Sequence, residues 1–253
     1  MELTRRHIEI FRTDGFLVIR NLLPVDQVDE INVGYQKAIS GQIDVHDWKK
    51  RINSVPIAQL GDPSAVLGWR KFPYFQKILS IAKQLNGEDL EVAYDQLIYK
   101  PPYSPIELLW HQDAGYGPWP EEAVERGITC WLALVDATPE QGSMQFIPGS
   151  HQQGIYLHHS AQDRNPIGGA LEVRLEDQVA VPVSYQAGDC SFHHACTLHY
   201  TGPNQTNKER RSFSFGRLQL LINADGSSMY RKPDFNSFVL LRGENLFDQG
   251  EDD

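Results

Sequence analysis

Residues 91–113 read EVAYDQLIYKPPYSPIELLWHQD. Two runs rich in Val, Ile, Leu and Tyr, at 91–100 and 106–113, flank a Pro-Pro-Tyr-Ser-Pro break. Short runs of β-branched and aromatic residues bounded by turn formers are strand texture. That texture returns at 128–137, 144–147, 179–183, 190–201 and 212–222, with Gly, Pro, Asn and Asp between the runs. Many short strands so punctuated point to a sandwich, jelly roll or barrel. The chain ahead of residue 90 differs. Residues 3–13 read as a helix and 15–20 (GFLVIR) as a short strand. Residues 25–39 place Val28, Ile31, Tyr35 and Ile39 on one helical side, and 75–85 form another amphipathic helix stopped by Asn86-Gly87. The expected architecture is mainly β with flanking α, in one domain over 1–253. A jelly-roll core spans 90–222, a mostly helical N-terminal buttress spans 1–89, and an acidic tail frays at 244–253.

The composition fits that reading. A chain of 253 residues, 41% hydrophobic, is accommodated by one β domain with a real core. A formal net charge of −10 argues against nucleic acid, whose phosphates call for clustered Lys and Arg. Cys130, Cys190 and Cys196 cannot all pair and show no CxxC spacing, so reduced thiols in an intracellular protein are expected. The start of the chain is polar, without a signal peptide's apolar core, and no apolar run is long enough for a bilayer. A soluble, cytoplasmic protein with no membrane partner follows as the expectation.

His111 and Asp113 lie at the end of a predicted strand. Alternation points them to one side and turns Trp110 and Gln112 to the other. An imidazole and a carboxylate two apart can hold one metal from one strand edge. With a second His they form a facial triad with three open positions, the arrangement of non-haem Fe(II) oxygenases. Alone, His-x-Asp is a weak signal, since a surface His beside a turn Asp reads the same. The distant piece is Leu198-His199-Tyr200-Thr201-Gly202-Pro203-Asn204, followed by Arg210-Arg211-Ser212-Phe213. Gly202-Pro203-Asn204 marks a turn, and the strands on either side are expected to lie side by side like a hairpin. A keto diacid held on a metal at one end needs a cation at the other. Arg suits that role because its planar fork takes a carboxylate through two bonds. Phe213 and Phe215 alternate with Ser212 and Ser214, so Arg210 is expected inward with the serines and Arg211 outward. Thr201 adds a hydroxyl donor. His193 and His194 compete as the third ligand, but neither is followed by the Gly-Pro-Asn turn and Arg that favour His199.

These pieces resemble the phytanoyl-CoA dioxygenase (PhyH) family of Fe(II)/2-oxoglutarate oxygenases. The resemblance rests on His111-Gln112-Asp113, on Gly142-Ser143-Met144-Gln145-Phe146-Ile147-Pro148-Gly149-Ser150-His151, and on His199 through Asn204 with Arg210-Arg211-Ser212. Gly15-Phe16-Leu17-Val18-Ile19 and Asp95-Gln96 with Lys100-Pro101-Pro102 add to it. It implies a double-stranded β-helix (jelly-roll, cupin-like) fold. It implies iron on His111, Asp113 and His199, the 2-oxoglutarate far carboxylate on Arg210, and Trp131, Thr201 and Gln96 beside the co-substrate. The implied reaction consumes 2-oxoglutarate and O2, releases succinate and CO2, and hydroxylates or otherwise oxidises a small organic substrate, read as a secondary metabolite. The acidic chain shows no site for coenzyme A phosphates, so the family name does not name the substrate. Tyr94, Tyr99, Tyr103, Tyr116 and Trp119 cluster around the metal strand and the loop after it as candidate substrate contacts, with 115–126 as a lid. The competing reading is a jelly-roll metal protein without oxygenase activity, a zinc hydrolase or isomerase or a binding protein, in which Arg210 and Thr201 would have no carboxylate to clamp.

Overall fold

Thr4 opens helix α1 (Arg5–Asp14). Its hydroxyl accepts from the His7 N–H, while the His7 ring accepts from the Thr4 N–H. Gly15 closes the helix at φ +80°, backbone that a side chain tolerates poorly. Helices α2 (Val25–Ile39), α3 (Pro73–Asn86) and α4 (Glu121–Arg126) follow among the described residues. The strands are β1 (Phe16–Ile19), β2 (Ala58–Gly61), β3 (Leu90–Lys100), β4 (Leu108–His111), β5 (Ile128–Ala133), β6 (Met144–Phe146), β7 (His159–Ser160), β8 (Leu171–Glu172), β9 (Val181–Pro182), β10 (Cys190–His194), β11 (His199–Thr201) and β12 (Arg210–Leu220). This computed structural model describes residues 1–40, 42, 58–61, 67–86, 90–117, 121–161 and 170–220. The expected acidic tail at 244–253 lies outside them. Among the described residues no helix is long and apolar enough to cross a membrane.

The strands form a large sheet in the order β1-β10-β5-β12-β3-β2 and a small one in the order β4-β11-β6-β9, with β7 and β8 paired apart. Pairing is antiparallel throughout both sheets. The large sheet has two buried faces of opposite character. On one, Leu17, Ile19, Cys130, Leu132, Phe192, Phe213 and Phe215 meet Phe11 of α1, Ile31 and Tyr35 of α2, and Phe75, Ile78 and Ile81 of α3. On the other, Phe16, Trp131 and Ala133 meet Met144 and Phe146 of the small sheet. Helices on one face and a second sheet on the other make a buttressed jelly roll, as expected.

Two local expectations are corrected. The run 190–201 is not one strand: β10 ends at His194, and β11 starts at His199 in the other sheet. The hairpin across Gly202-Pro203-Asn204 does not form either. Both edges of β11 are taken by β4 and β6, and both edges of β12 by β3 and β5. The connection therefore crosses between sheets. The Asn204 side-chain amide holds the crossing by donating to the carbonyls of Pro101 (2.9 Å) and Lys208 (2.7 Å). Gly142, at φ +74°, lies so close to the Gly202 carbonyl that a Cβ there would collide with it.

Candidate metal centre and co-substrate site

Strand pairing sets the centre. His199 of β11 sits directly opposite His111 of β4, and their rings lie 4.2 Å apart, centroid to centroid. Asp113 follows β4 at the start of a short helical turn, Asp113–Tyr116. One ligand atom from each of His111, Asp113 and His199 falls within 4.8 Å of the others. Both imidazoles are oriented in the same way. His111 Nδ1 lies 2.6 Å from the Leu109 carbonyl, and His199 Nδ1 lies 2.9 Å from the Thr197 carbonyl. A carbonyl can only accept, so each Nδ1 carries its proton and leaves the Nε2 lone pair for a metal. His199 Nε2 lies 3.8 Å from Asp113 Oδ1. Burial, with His111 and His193 nearby, pushes the His199 pKa well below its ordinary value, which keeps the ring neutral. Burial works to raise the Asp113 pKa, but His199, His193 and His111 outweigh it and hold the carboxyl well below its ordinary range. Neutral imidazoles and an ionised carboxylate are the states a metal requires.

The large sheet supplies the rest. Register places Gln96, Ser214, Trp131 and Ser191 in one row across β3, β12, β5 and β10. Alternation then brings Lys100, Arg210, Ser212, Thr129 and His193 to that same inner face. Arg210 is 0% exposed. Its Nη1 donates to Ser212 Oγ at 2.7 Å, and its guanidinium lies 5.6 Å from the centre of the Trp131 ring. Arg210 Nε and Nη2, and Trp131 Nε1, are buried donors that find no acceptor among the described residues. Burial lowers the Arg210 pKa to about 10, so the cation persists at neutral pH. Unanswered buried donors cost on the order of 1–3 kcal/mol each, more when charged. A carboxylate is the group that would answer them, and 2-oxoglutarate fits on that ground. Arg211 takes the opposite face, with its guanidinium over the Tyr35 ring at 5.2 Å.

Two residues that sequence reasoning missed belong to this face. Lys100, fully buried, donates to Thr201 Oγ1 at 2.9 Å and to the Thr201 and Gly202 carbonyls. Burial and the Arg210 charge push its pKa well down. With the Thr201 oxygen engaged as acceptor, its hydroxyl proton is free to be donated. The Lys100-Pro101-Pro102 run was visible, but nothing in it announced a buried amine. Thr129 donates to Asp113 Oδ2 at 2.6 Å, and an isolated strand threonine carries no sequence signal.

The candidate substrate aromatics separate. The Tyr116 ring stands edge-on to His111 at 5.6 Å. Tyr99 is on the wrong face, 6.3 Å from Tyr35 and against the helices, because alternation sets it opposite Gln96 and Lys100. Tyr103 is 68% exposed at a turn and is not brought to the site. The Tyr94 side chain and all of Trp119 lie outside the described residues. The segment 115–126, expected as a lid, takes in the end of the turn Asp113–Tyr116 and then α4, with residues 118–120 between them outside the described residues. His194 faces away from the centre, with Nε2 2.7 Å from the Glu125 carbonyl.

The family model for phytanoyl-CoA dioxygenase (PhyH) matches residues 11–212. Methylphosphonate hydroxylase of Gimesia maris is 34% identical over 150 residues, 58% of this chain and 51% of that protein. The probable alpha-ketoglutarate-dependent hypophosphite dioxygenase of Stutzerimonas stutzeri is 27% identical over 149 residues, 56% of this chain and 49% of that one. The chain thus spans about half the length of these curated relatives. Among solved structures, the epimerase SnoN in complex with Fe3+, alpha ketoglutarate and nogalamycin RO aligns with a TM-score of 0.65 at 25% identity, over 98% of this chain and 91% of that one. With most of its length under one family model, the chain belongs to the phytanoyl-CoA dioxygenase (PhyH) family.

Proposed function

We propose that this protein is an Fe(II)- and 2-oxoglutarate-dependent dioxygenase that oxidises a small organic molecule, by default through hydroxylation. One observation carries the reading. Two imidazole Nε2 atoms and a carboxylate converge, while a buried guanidinium edge and an indole N–H stand on the facing sheet unanswered by any of the described residues. A zinc hydrolase would have use for the first feature but not the second. In this reading His111, Asp113 and His199 hold the iron. Arg210, Thr201 and Trp131 take the far carboxylate of 2-oxoglutarate, with Gln96 beside it. When bound, iron with 2-oxoglutarate and O2 supplies the oxidation and releases succinate and CO2. The chain's own part is to orient the co-substrate, exclude water from the inner face and present substrate near Tyr116. The likeness to SnoN, whose complex holds iron and the keto acid, supports the cofactors. A small substrate of secondary metabolism remains the substrate proposal.

Succinate formation against a metabolite panel tests this. Turnover should need both Fe(II) and 2-oxoglutarate, and Asp113→Ala should abolish it. Arg210→Ala should raise the KM for 2-oxoglutarate about tenfold to a hundredfold, as expected for loss of a charged hydrogen-bonding partner. Because Asp113 provides a carboxylate where a halide would otherwise bind, no halogenated product should form. Turnover with zinc in place of iron, and without 2-oxoglutarate, would replace this reading with the hydrolase.

A further inference from the structure

We infer that His193 is a positioning residue which, with Thr129, pins one oxygen of Asp113 so that the carboxylate can offer the metal only the other. The inference rests on the metal reading above and concerns a histidine with no assigned role there. His193 is 1% exposed and lies in register with Thr129 on β5 and Phe16 on β1. Its ring is 5.4 Å from Phe146 and 4.4 Å from His199, centroid to centroid. Its Nε2 reaches Asp113 Oδ2 at 3.3 Å, and its Nδ1 is buried with no partner among the described residues. The polar contact of this imidazole therefore runs to the carboxylate. Thr129 Oγ1 donates to the same Oδ2 at 2.6 Å, and Oδ1 is the oxygen that faces His199 Nε2 at 3.8 Å.

The two candidate histidine ligands are fixed by their own Nδ1–carbonyl contacts. Asp113 sits past the strand end, on a turn, and its side chain can rotate to present both oxygens. A carboxylate binding through both would fill one of three positions that must stay open, since the keto acid takes two and oxygen the third. Two donors on Oδ2 oppose that rotation. His193 touches Asp113 but is not among the three residues whose ligand atoms converge, so it acts through Asp113 rather than as a ligand.

Co(II) titration of the full-length apoprotein, followed by d–d absorption, tests the inference without turnover. Outer partners of metal ligands typically contribute about tenfold to a hundredfold in affinity. His193→Phe should weaken Co(II) binding by that factor while leaving the apoprotein melting temperature near wild type. His193→Gln, which restores an N–H donor, should bind within about threefold of wild type. Thr129→Val should weaken binding as well, and it carries the test if His193→Phe does not fold. Equal affinity in His193→Phe and wild type overturns the inference, and so does equal loss in the Phe and Gln variants. A His193→Gln loss as complete as that of His111→Ala overturns it in favour of direct ligation, and unchanged affinity in Thr129→Val removes the second donor. If wild type binds no Co(II), or Asp113→Ala binds it as well as wild type, the metal reading itself fails.

Discussion

Arg210 is buried as a cation with two of its nitrogens unanswered by any of the described residues, an arrangement that costs stability. Replacing it with Met removes the charge and keeps much of the volume. Arg210→Met should therefore melt at or above the wild-type temperature as apoprotein. Wild type should gain several degrees with metal and 2-oxoglutarate, because a ligand that binds only the folded state stabilises it. The variant should lose most of that gain. Differential scanning fluorimetry reads both arms, and a large apoprotein destabilisation in Arg210→Met would contradict the account. At this scale the sequence was legible wherever alternation spoke. Ser212 and Ser214 against Phe213 and Phe215 turned Arg210 inward, as found, whereas Arg211, expected outward, lies buried on the opposite face over Tyr35. The same count from Gln96 to Lys100 assigns Tyr99 to the helices, so its placement among substrate contacts was avoidable. Thr129, and the contact of His193 with Asp113 (the sequence offered His193 only as a rival ligand), were not legible, because Asp113 lies on a turn whose path no periodicity fixes.

Among the elements, β12 shows how one strand serves both fold and site. Its even positions 212 and 214 put serines on the inner face, and its odd positions 213 and 215 put phenylalanines into the helix-facing core. Phe213 also meets the Trp69 ring edge-on at 5.1 Å. Phe213→Ala should cost about 3–5 kcal/mol in denaturant unfolding, as for other buried aromatics. The inter-sheet crossing makes a second prediction. Gly142→Ala meets both a left-handed backbone and the Gly202 carbonyl, and should cost roughly 1–3 kcal/mol. It should also weaken 2-oxoglutarate binding, because the displaced segment adjoins Thr201. An unchanged unfolding midpoint would show that the crossing yields freely. The strands could be read from sequence because each is locally patterned. Their partners could not, since sheet membership depends on which edges are already filled, and that turned the expected hairpin into a crossing.

For the whole molecule, pH dependence follows from the buried histidines. Burial lowers the pKa of His199, His194 and His151 below the ordinary value of 6.5. In the unfolded chain these groups regain that ordinary value. Between the folded and unfolded values the unfolded chain binds more protons, so stability rises with pH there and falls as pH drops from about 6.5. The depressed Asp113 carboxyl adds a loss of the same sign below its ordinary range. Apoprotein melting temperature should decline from pH 7.5 to pH 5.5, and a flat profile would contradict these shifts. The mainly β body with helices in front was legible because strand and helix textures occupy different stretches of the chain. The claim that joins these scales is that a ferrous ion and 2-oxoglutarate meet between the two sheets. Anaerobic addition of Fe(II) and 2-oxoglutarate to the full chain reads it directly. The account predicts a weak visible charge-transfer band that saturates with the keto acid and is lost in Asp113→Ala and, at the same concentrations, in Arg210→Ala. No band in the wild-type protein, or an undiminished band in both variants, would contradict it.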